Sequence, residues 1–114
     1  MSVTIYHNPR CRKSREGLEY LRSKGIEPEI RTYISDPMSV DEFGLLMSKL
    51  NSKAADMIRT QEEIYRKELK GKDFTDEEWM LIILEEPKLL KRPIVVKGNR
   101  AIWADPAQNI DQLI

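Results

Sequence analysis

The sequence has few of the residues from which disulfides and metal sites are built. Its 114 residues include one cysteine, Cys11, and one histidine, His7. A single cysteine cannot form an internal disulfide, and it excludes the zinc motifs that need several cysteines. With only one histidine beside it, we expect no metal site and no bound cofactor.

Long apolar runs and net charge are also missing. No apolar run approaches the ~18 residues that span a bilayer, and the first residues lack the pattern of a secretory signal. Lysine plus arginine equals aspartate plus glutamate at 19 each, so the chain has no electrostatic footprint for nucleic acid. We therefore expect one domain over residues 1–114, a cytoplasmic location, a monomer, and no membrane or nucleic-acid partner.

The charge is nevertheless uneven around Cys11. Four basic residues flank the cysteine, and no acidic residue precedes Glu16; the four are Arg10, Arg12, Lys13 and Arg15. A neutral chain with one strongly positive corner favours a small anion as ligand over a long polyanion.

The hydrophobic pattern alternates between strand and helix periods. Val3–Tyr6 predicts a strand, a helix follows from Cys11 to a stop at Gly25, and Pro28–Ile34 predicts a second strand, which together form a βαβ unit. The later part of the chain predicts a helix from Ser39 to Leu50, one or two short helices in Asn51–Lys70, and a helix from Thr75 that ends before Pro87. After these it predicts strands Arg92–Val96 and Arg100–Trp103 with a turn at Lys97–Asn99, and a helix Pro106–Leu113.

Two of these helices carry recognisable start signals. Ser39 and Thr75 each stand three residues before a glutamate, which predicts capping boxes. Phe74 and Trp79 fit a hydrophobic staple around the second of them.

Cys11 stands where a strand turns into a helix. Free backbone amides and the helix dipole stabilise a thiolate there, and nearby cations lower a thiol pKa from ~8.5 to roughly 3.5–7.5. We expect the basic cluster to supply such cations and the Ser14 hydroxyl to donate to the sulfur. His7 is either a further group that tunes the thiol or a satisfied residue of the turn. A lone cysteine is more often a buried structural residue; the turn, the helix start and the cations together favour a reactive one.

The four residues from Cys11 to Ser14 have the pattern Cys-x-x-Ser. This keeps the first cysteine of a redox motif and lacks the second, so any disulfide must form with another molecule. A tyrosine-phosphatase loop needs an arginine six residues after its cysteine, and Gly17 at that position excludes this class.

Two arginines outside the loop are candidate anion ligands. Arg92 precedes Pro93 at the start of a buried strand, a position typical of an edge or of a cis peptide bond. Its planar guanidinium suits an oxyanion. Arg59 follows an apolar helical stretch, and it is either a second such ligand or a solvent-exposed side chain.

These motifs resemble those of the glutaredoxin-linked arsenate reductase family. The segment from His7 to Arg15 resembles the family's active-site loop, Arg92–Val96 resembles its second signature, and Arg59 after Asp56–Ile58 matches a third. The resemblance implies an α/β, thioredoxin-like fold. That fold has a small mixed four-stranded sheet, helices on both faces, a helical insertion after the first βαβ unit, and a cis bond at Pro93.

The resemblance also implies a chemistry. A Cys11 thiolate attacks arsenate or a similar oxyanion, glutathione attacks the adduct as co-substrate, and glutaredoxin or another thiol reductant reduces the remaining disulfide. The roles that it implies are catalytic for Cys11, His7 and Ser14, oxyanion-binding for Arg59 and Arg92, and supporting for Asn8, Arg15 and Pro93.

One position departs from the family pattern. Its reductases carry a third arginine before a proline near the C-terminus, where this chain has Asp105 before Pro106. A carboxylate there weakens oxyanion binding, so another oxyanion or a thiol substrate stays open beside arsenate.

Two non-reductase interpretations stay open as well. One is a regulator of the Spx type, which binds RNA polymerase, although Ser14 replaces the second cysteine of its redox switch. The other is a protein similar to monothiol glutaredoxins, which handle glutathione or an iron–sulfur cluster, although their Cys-Gly-Phe-Ser motif is absent.

Overall fold

A computed structural model describes residues 2–114 of the chain. They form two compact units, one made of the chain up to Asp36 together with Arg92–Ile114, and the other of Pro37–Lys91. The first unit contains the sheet and Cys11, and the second is the helical insertion. The single domain expected over residues 1–114 stays a prediction.

The first unit is built on a mixed four-stranded sheet. Its strands are β1 (Val3–Tyr6), β2 (Glu29–Arg31), β3 (Ile94–Lys97) and β4 (Arg100–Trp103), in the order β2-β1-β3-β4. β1 runs parallel to β2 and antiparallel to β3, and β3 pairs antiparallel with β4. This confirms the predicted mixed α/β sheet, with the parallel pair joined through a helix as a βαβ unit requires.

β2 is shorter than its sequence pattern predicts. The prediction covered Pro28–Ile34, but the strand ends at Arg31 because the chain then closes a turn. The backbone N–H of Asp36 donates to the Thr32 carbonyl at 3.0 Å, and the Ser35 hydroxyl donates to the same oxygen at 3.2 Å. A carbonyl used in this way is no longer available to a strand ladder.

Helix α1 (Arg12–Ser23) covers one face of this sheet. It ends at Gly25, whose φ of 78° is the left-handed conformation that the sequence predicts for a helix stop. The core beneath it consists of buried apolar side chains, namely Val3, Ile5, Leu21, Val95, Ala104, Ile110 and Leu113. Their removal from water holds the helix on the sheet.

The C-terminal segment is helical but not an α-helix. The predicted helix over Pro106–Leu113 is a 3₁₀ helix over Ala107–Gln112. The Asn109 side chain donates to the carbonyls of Trp103 and Asp105, both at 3.3 Å. These side-chain bonds tie the segment to the end of β4.

The second unit contains two α-helices and three short helical turns. The α-helices are α2 (Val40–Leu50) and α3 (Asp76–Glu85); the turns are 3₁₀ helices at Ala54–Met57 and Pro87–Leu89 and a π-helix at Tyr65–Leu69. The helical insertion and its short helices before Lys70 are thus confirmed. None of the helices within residues 2–114 is long and apolar enough to cross a membrane.

The predicted capping box of α3 is confirmed, and for α2 the serine cap of the predicted box is present. The Ser39 hydroxyl accepts from the Glu42 N–H at 3.0 Å. At Thr75 the box is complete, because its hydroxyl accepts from the Glu78 N–H at 3.1 Å while the Glu78 carboxylate accepts from the Thr75 N–H at 2.9 Å. Phe74 and Trp79 form the staple, with ring centroids 4.8 Å apart.

Candidate active site

Cys11 is the N-cap residue of α1. Its backbone is extended, with φ −95° and ψ 123°, and no side chain caps the helix. The Cys11 N–H donates to the Asn8 carbonyl at 2.9 Å, and the Asn8 side chain accepts from the Arg10 N–H at 3.1 Å. This turn fixes the half-buried thiol beside helix amides that have no partner within the helix.

The surroundings of Cys11 favour its thiolate. Burial alone acts to raise the pKa of the thiol. The Ser14 N–H, the Arg92 side chain and the Lys13 N–H outweigh burial, and together they hold the pKa below its ordinary value of 9.0. Because the thiolate is the nucleophilic form, a lowered pKa makes the sulfur more reactive.

Arg92 reaches the sulfur from a buried position. It is 8% exposed and directly precedes Pro93, and the peptide bond between them is cis, as predicted. The Trp103 indole N–H donates to the Arg92 carbonyl at 3.3 Å, and the Ala104 N–H donates to the Pro93 carbonyl at 2.9 Å. The backbone that carries the guanidinium is therefore fixed from β4.

Gly17 is a residue whose role the sequence did not reveal. It lies on the buried face of α1, and a Cβ added there would stand 2.7 Å from Cγ of Pro93. Only a glycine lets the helix approach the Pro93 ring this closely. The same glycine that excludes a phosphatase loop thus brings α1 against the segment that carries Arg92.

A buried hydrogen-bonded cluster lies under the loop. Ser14 is completely buried, and its hydroxyl accepts from the Asn8 N–H at 2.9 Å and lies 2.9 Å from Nδ1 of His7. The hydroxyl is thus shared between Asn8 and His7, and it is the Ser14 N–H that hydrogen-bonds the sulfur. This corrects the expectation of a hydroxyl donor to the thiolate.

The surroundings of His7 disfavour its charged form. Burial lowers its pKa below 6.5; the Ser14 bond raises it, and the charges of Arg15 and Arg22 lower it further. This direction opposes the expectation that His7 supplies a cation to the thiol. Its assignment as a catalytic residue stays a prediction.

The basic cluster acts differently from its expected role. Arg12 pairs with Glu16 at 3.1 Å, and the Arg15 guanidinium donates to the Pro9 carbonyl at 2.9 Å. The side chain that lowers the pKa of Cys11 is instead Arg92, from the far end of the chain. Nearness in sequence misidentified the cation, because side chains at the start of α1 point toward solvent.

Arg59 lies in the second unit. Its N–H donates to the Leu89 carbonyl at 2.7 Å, and its guanidinium Nε donates to Glu62 at 3.1 Å. Its side chain is only 20% exposed, which excludes the alternative of a fully solvated arginine. Its assignment as an oxyanion ligand stays a prediction. Among residues 2–114, no group of three or more His, Cys, Asp or Glu side chains could hold a metal ion.

Fold and site together define an α/β protein with an activated thiol at a helix N-terminus. The model of the ArsC family matches residues 6–113, and the chain belongs to that family. This confirms the resemblance inferred from the sequence motifs.

Known relatives agree with this assignment. An arsenate reductase of Haemophilus influenzae is 38% identical over 116 residues that cover 100% of both chains. One from Escherichia coli is 38% identical over 96 residues, which cover 83% of this chain and 68% of the relative. The solved structure of an arsenate reductase from Vibrio cholerae has a TM-score of 0.93 and 36% identity, covering 100% of this chain and 98% of that one.

Proposed function

We propose that this protein reduces arsenate to arsenite, with Cys11 as nucleophile and glutathione and glutaredoxin as reductants. The observation that carries the proposal is the half-buried Cys11 thiol, whose pKa is lowered by the first amides of α1 and by Arg92. Arsenate is proposed as the substrate because the relatives are named arsenate reductases. The cytosol, where thiols are kept reduced, supplies the reductants.

In the first step the Cys11 thiolate attacks arsenic. A sulfur–arsenic bond forms and an arsenate oxygen leaves as hydroxide, which takes a proton to become water. Arg92 offers several N–H donors in one plane, the geometry that suits an oxyanion. Arg59 is the proposed second arginine for the same anion.

In the second step the glutathione thiolate attacks the sulfur of the adduct. A disulfide forms between Cys11 and glutathione, the sulfur–arsenic bond breaks, and its electron pair remains on arsenic, which leaves as arsenite. Glutaredoxin then exchanges this disulfide and returns the Cys11 thiol. Per arsenate, two thiols become one disulfide and one water is released.

The remaining loop residues have supporting roles in this proposal. Ser14 and Asn8 hold the turn through the Ser14 hydroxyl, and Arg15 closes it on the Pro9 carbonyl. Pro93 packs against Gly17 and so fixes the position of Arg92 beside the thiol. Such fixed geometry lowers the reorganisation needed when a substrate binds.

The test is arsenate-dependent NADPH oxidation coupled through glutathione, glutaredoxin and glutathione reductase. Wild type is expected to turn over and Cys11→Ser is expected to be inactive. A matched control moves the thiol to the other end of α1 by combining Cys11→Ser with Ser23→Cys, and this variant should stay inactive. Activity in either variant would contradict the mechanism.

Absence of turnover in wild type with both the glutathione system and the thioredoxin system would reject arsenate as substrate. Replacing the glutathione system with thioredoxin and its reductase tests the reductant separately, because arsenate reduction with only the second system would retain the reaction and change the partner. Capture of RNA polymerase by an inactive wild type would favour the regulator interpretation instead.

A further inference from the structure

A carboxylate is placed at the Cys11 end of α1. Asp105 Oδ1 lies 3.4 Å from the Lys13 ammonium, with the two side chains 26% and 55% exposed. The backbone N–H of the same Lys13 is one of the donors to the Cys11 sulfur. Lys13 therefore contacts the thiol through its backbone N–H, and its side chain forms an ion pair with Asp105.

A second connection joins the segment of Asp105 to the segment of Arg92. Its neighbour Ala104 donates its N–H to the Pro93 carbonyl at 2.9 Å, and the Trp103 indole donates to the Arg92 carbonyl at 3.3 Å. The Arg92 side chain in turn hydrogen-bonds Cys11. The segment that carries Asp105 is thus bonded to the segment that supplies the arginine of the site.

The pair changes the charge that an incoming molecule meets. Lys13 is one of four basic residues flanking the cysteine, and its charge is matched by Asp105 rather than offered to a ligand. A negative charge at the Cys11 end of α1 also repels further negative charge, an effect that falls with distance and with salt.

We propose that Asp105 is a specificity-determining residue that neutralises Lys13 and makes the Cys11 site prefer molecules of low negative charge. This rests on the proposed function only where arsenate is concerned. There, the singly charged form of the oxyanion is preferred to the doubly charged form. For any other electrophile that reacts with the thiol, the same preference holds.

The test compares two alkylating reagents of similar size, neutral iodoacetamide and anionic iodoacetate. Their rate ratio on Cys11 cancels any change in the thiolate fraction and measures the charge of the site. Asp105→Asn is expected to raise the iodoacetate-to-iodoacetamide ratio about two- to fivefold, with a smaller effect in high salt. Asp105→Arg is expected to raise it further.

The matched control is Asp111→Asn. Asp111 also pairs with a lysine, Lys24, which follows the C-terminus of α1, so its removal changes the net charge equally. Its ratio is expected to stay at the wild-type value. An unchanged ratio in Asp105→Asn, or an equal rise in both variants, would overturn the proposal.

Exchange of the partner sharpens the test. Lys13→Gln is expected to lower the ratio, and the double variant with Asp105→Asn should return close to wild type because the pair carries no net charge. A double variant that behaves like either single variant would overturn the proposal. The exposed pair contributes little to folding, so these variants remain folded.

The alkylation ratio needs no arsenate turnover. An inactive wild type with a ratio that responds to Asp105 would reject the proposed function and retain this inference. An active enzyme whose alkylation ratio does not respond to Asp105 would support the proposed function and overturn this inference. Where turnover is found, Asp105→Asn should also lower the arsenate KM about two- to fivefold.

Discussion

The starts of α1 and α3 use opposite means to satisfy the same backbone groups. α3 begins with a complete capping box at Thr75 and three acidic residues in its first turn. α1 begins with Cys11, has no side-chain cap, and has no acidic residue in its first turn. In α3, side chains at the helix start accept from the free amides and complement the helix dipole. In α1 the free amides are available to the Cys11 sulfur.

The difference separates a stabilising helix start from a reactive one. An oxygen cap and first-turn carboxylates stabilise a helix, but they also occupy the donors that bind an anion. At α1 the amides of Lys13 and Ser14 lower the pKa of Cys11 instead. The start of α1 thus lacks the stability of a side-chain cap, and its free amides lower the pKa of the thiol instead.

The largest predicted effect comes from removing Arg92, the arginine that hydrogen-bonds Cys11 at the start of α1. Arg92→Ala should reduce kcat/KM for arsenate by about 1.5–3 kcal/mol, or about ten- to a hundredfold, since a charged hydrogen bond is lost. It should also raise the pKa of Cys11. Arg100→Ala on the exposed end of β4 is the control, and an equal loss in that variant would argue against a specific role for Arg92.

A glycine in each unit's first helix gives the next comparison. Gly17→Ala should destabilise the fold by about 1–3 kcal/mol, because the new methyl would overlap the buried Pro93 ring. Gly44→Ala in α2 meets only the flexible end of Met80 at 3.8 Å, and should stabilise by about 0.5–1 kcal/mol. Urea unfolding measures both, and a stabilising Gly17→Ala would contradict the close packing.

Breaking the α3 cap has a smaller effect. Thr75→Ala should cost about 1 kcal/mol of stability and leave the pKa of Cys11 unchanged. At α1 a cap can be added instead of removed. Because serine caps a helix and alanine does not, Cys11→Ser should be more stable than Cys11→Ala by about 1 kcal/mol, while both variants are inactive. Thermal unfolding and thiol titration test this, and a shifted Cys11 pKa in Thr75→Ala would refute the independence of the two starts.

The smallest effect is the pH dependence of the His7 cluster beneath α1. His7 has a lower pKa folded than its ordinary 6.5, so the unfolded state binds its proton first as pH falls. Stability from this group is complete above 6.5 and is lost below it, with a slope of at most about 1.4 kcal/mol per pH unit. His7→Asn should flatten the profile of urea midpoints between pH 7 and 5; an unaltered slope would contradict a buried neutral histidine.

Much of the fold could be predicted from sequence because its signals are local. Caps at Ser39 and Thr75, the stop at Gly25 and the strand alternation each depend on a few consecutive residues. The predicted bounds of β2 and of the C-terminal helix were less accurate, because a turn closed at Thr32 and side-chain bonds from Asn109 determine where these elements end.

The site was predictable only in part for a related reason. Cys11 follows from a local motif and the cis bond at Pro93 from the family resemblance, but the side-chain partner of the thiol follows from neither. The flanking arginines were natural candidates, whereas the structure uses Arg92, which the sheet brings to the loop. The contacts of Gly17 with Pro93 and of Lys13 with Asp105 join distant segments and leave no signal in a single sequence.

We infer above all that the uncapped start of α1 lowers the pKa of the Cys11 thiol. The most direct test is the ultraviolet absorbance of the thiolate against pH, for the folded protein and for the same protein unfolded in urea. We expect a folded midpoint below 9.0 and below the unfolded one. A folded midpoint at or above the unfolded value would contradict it.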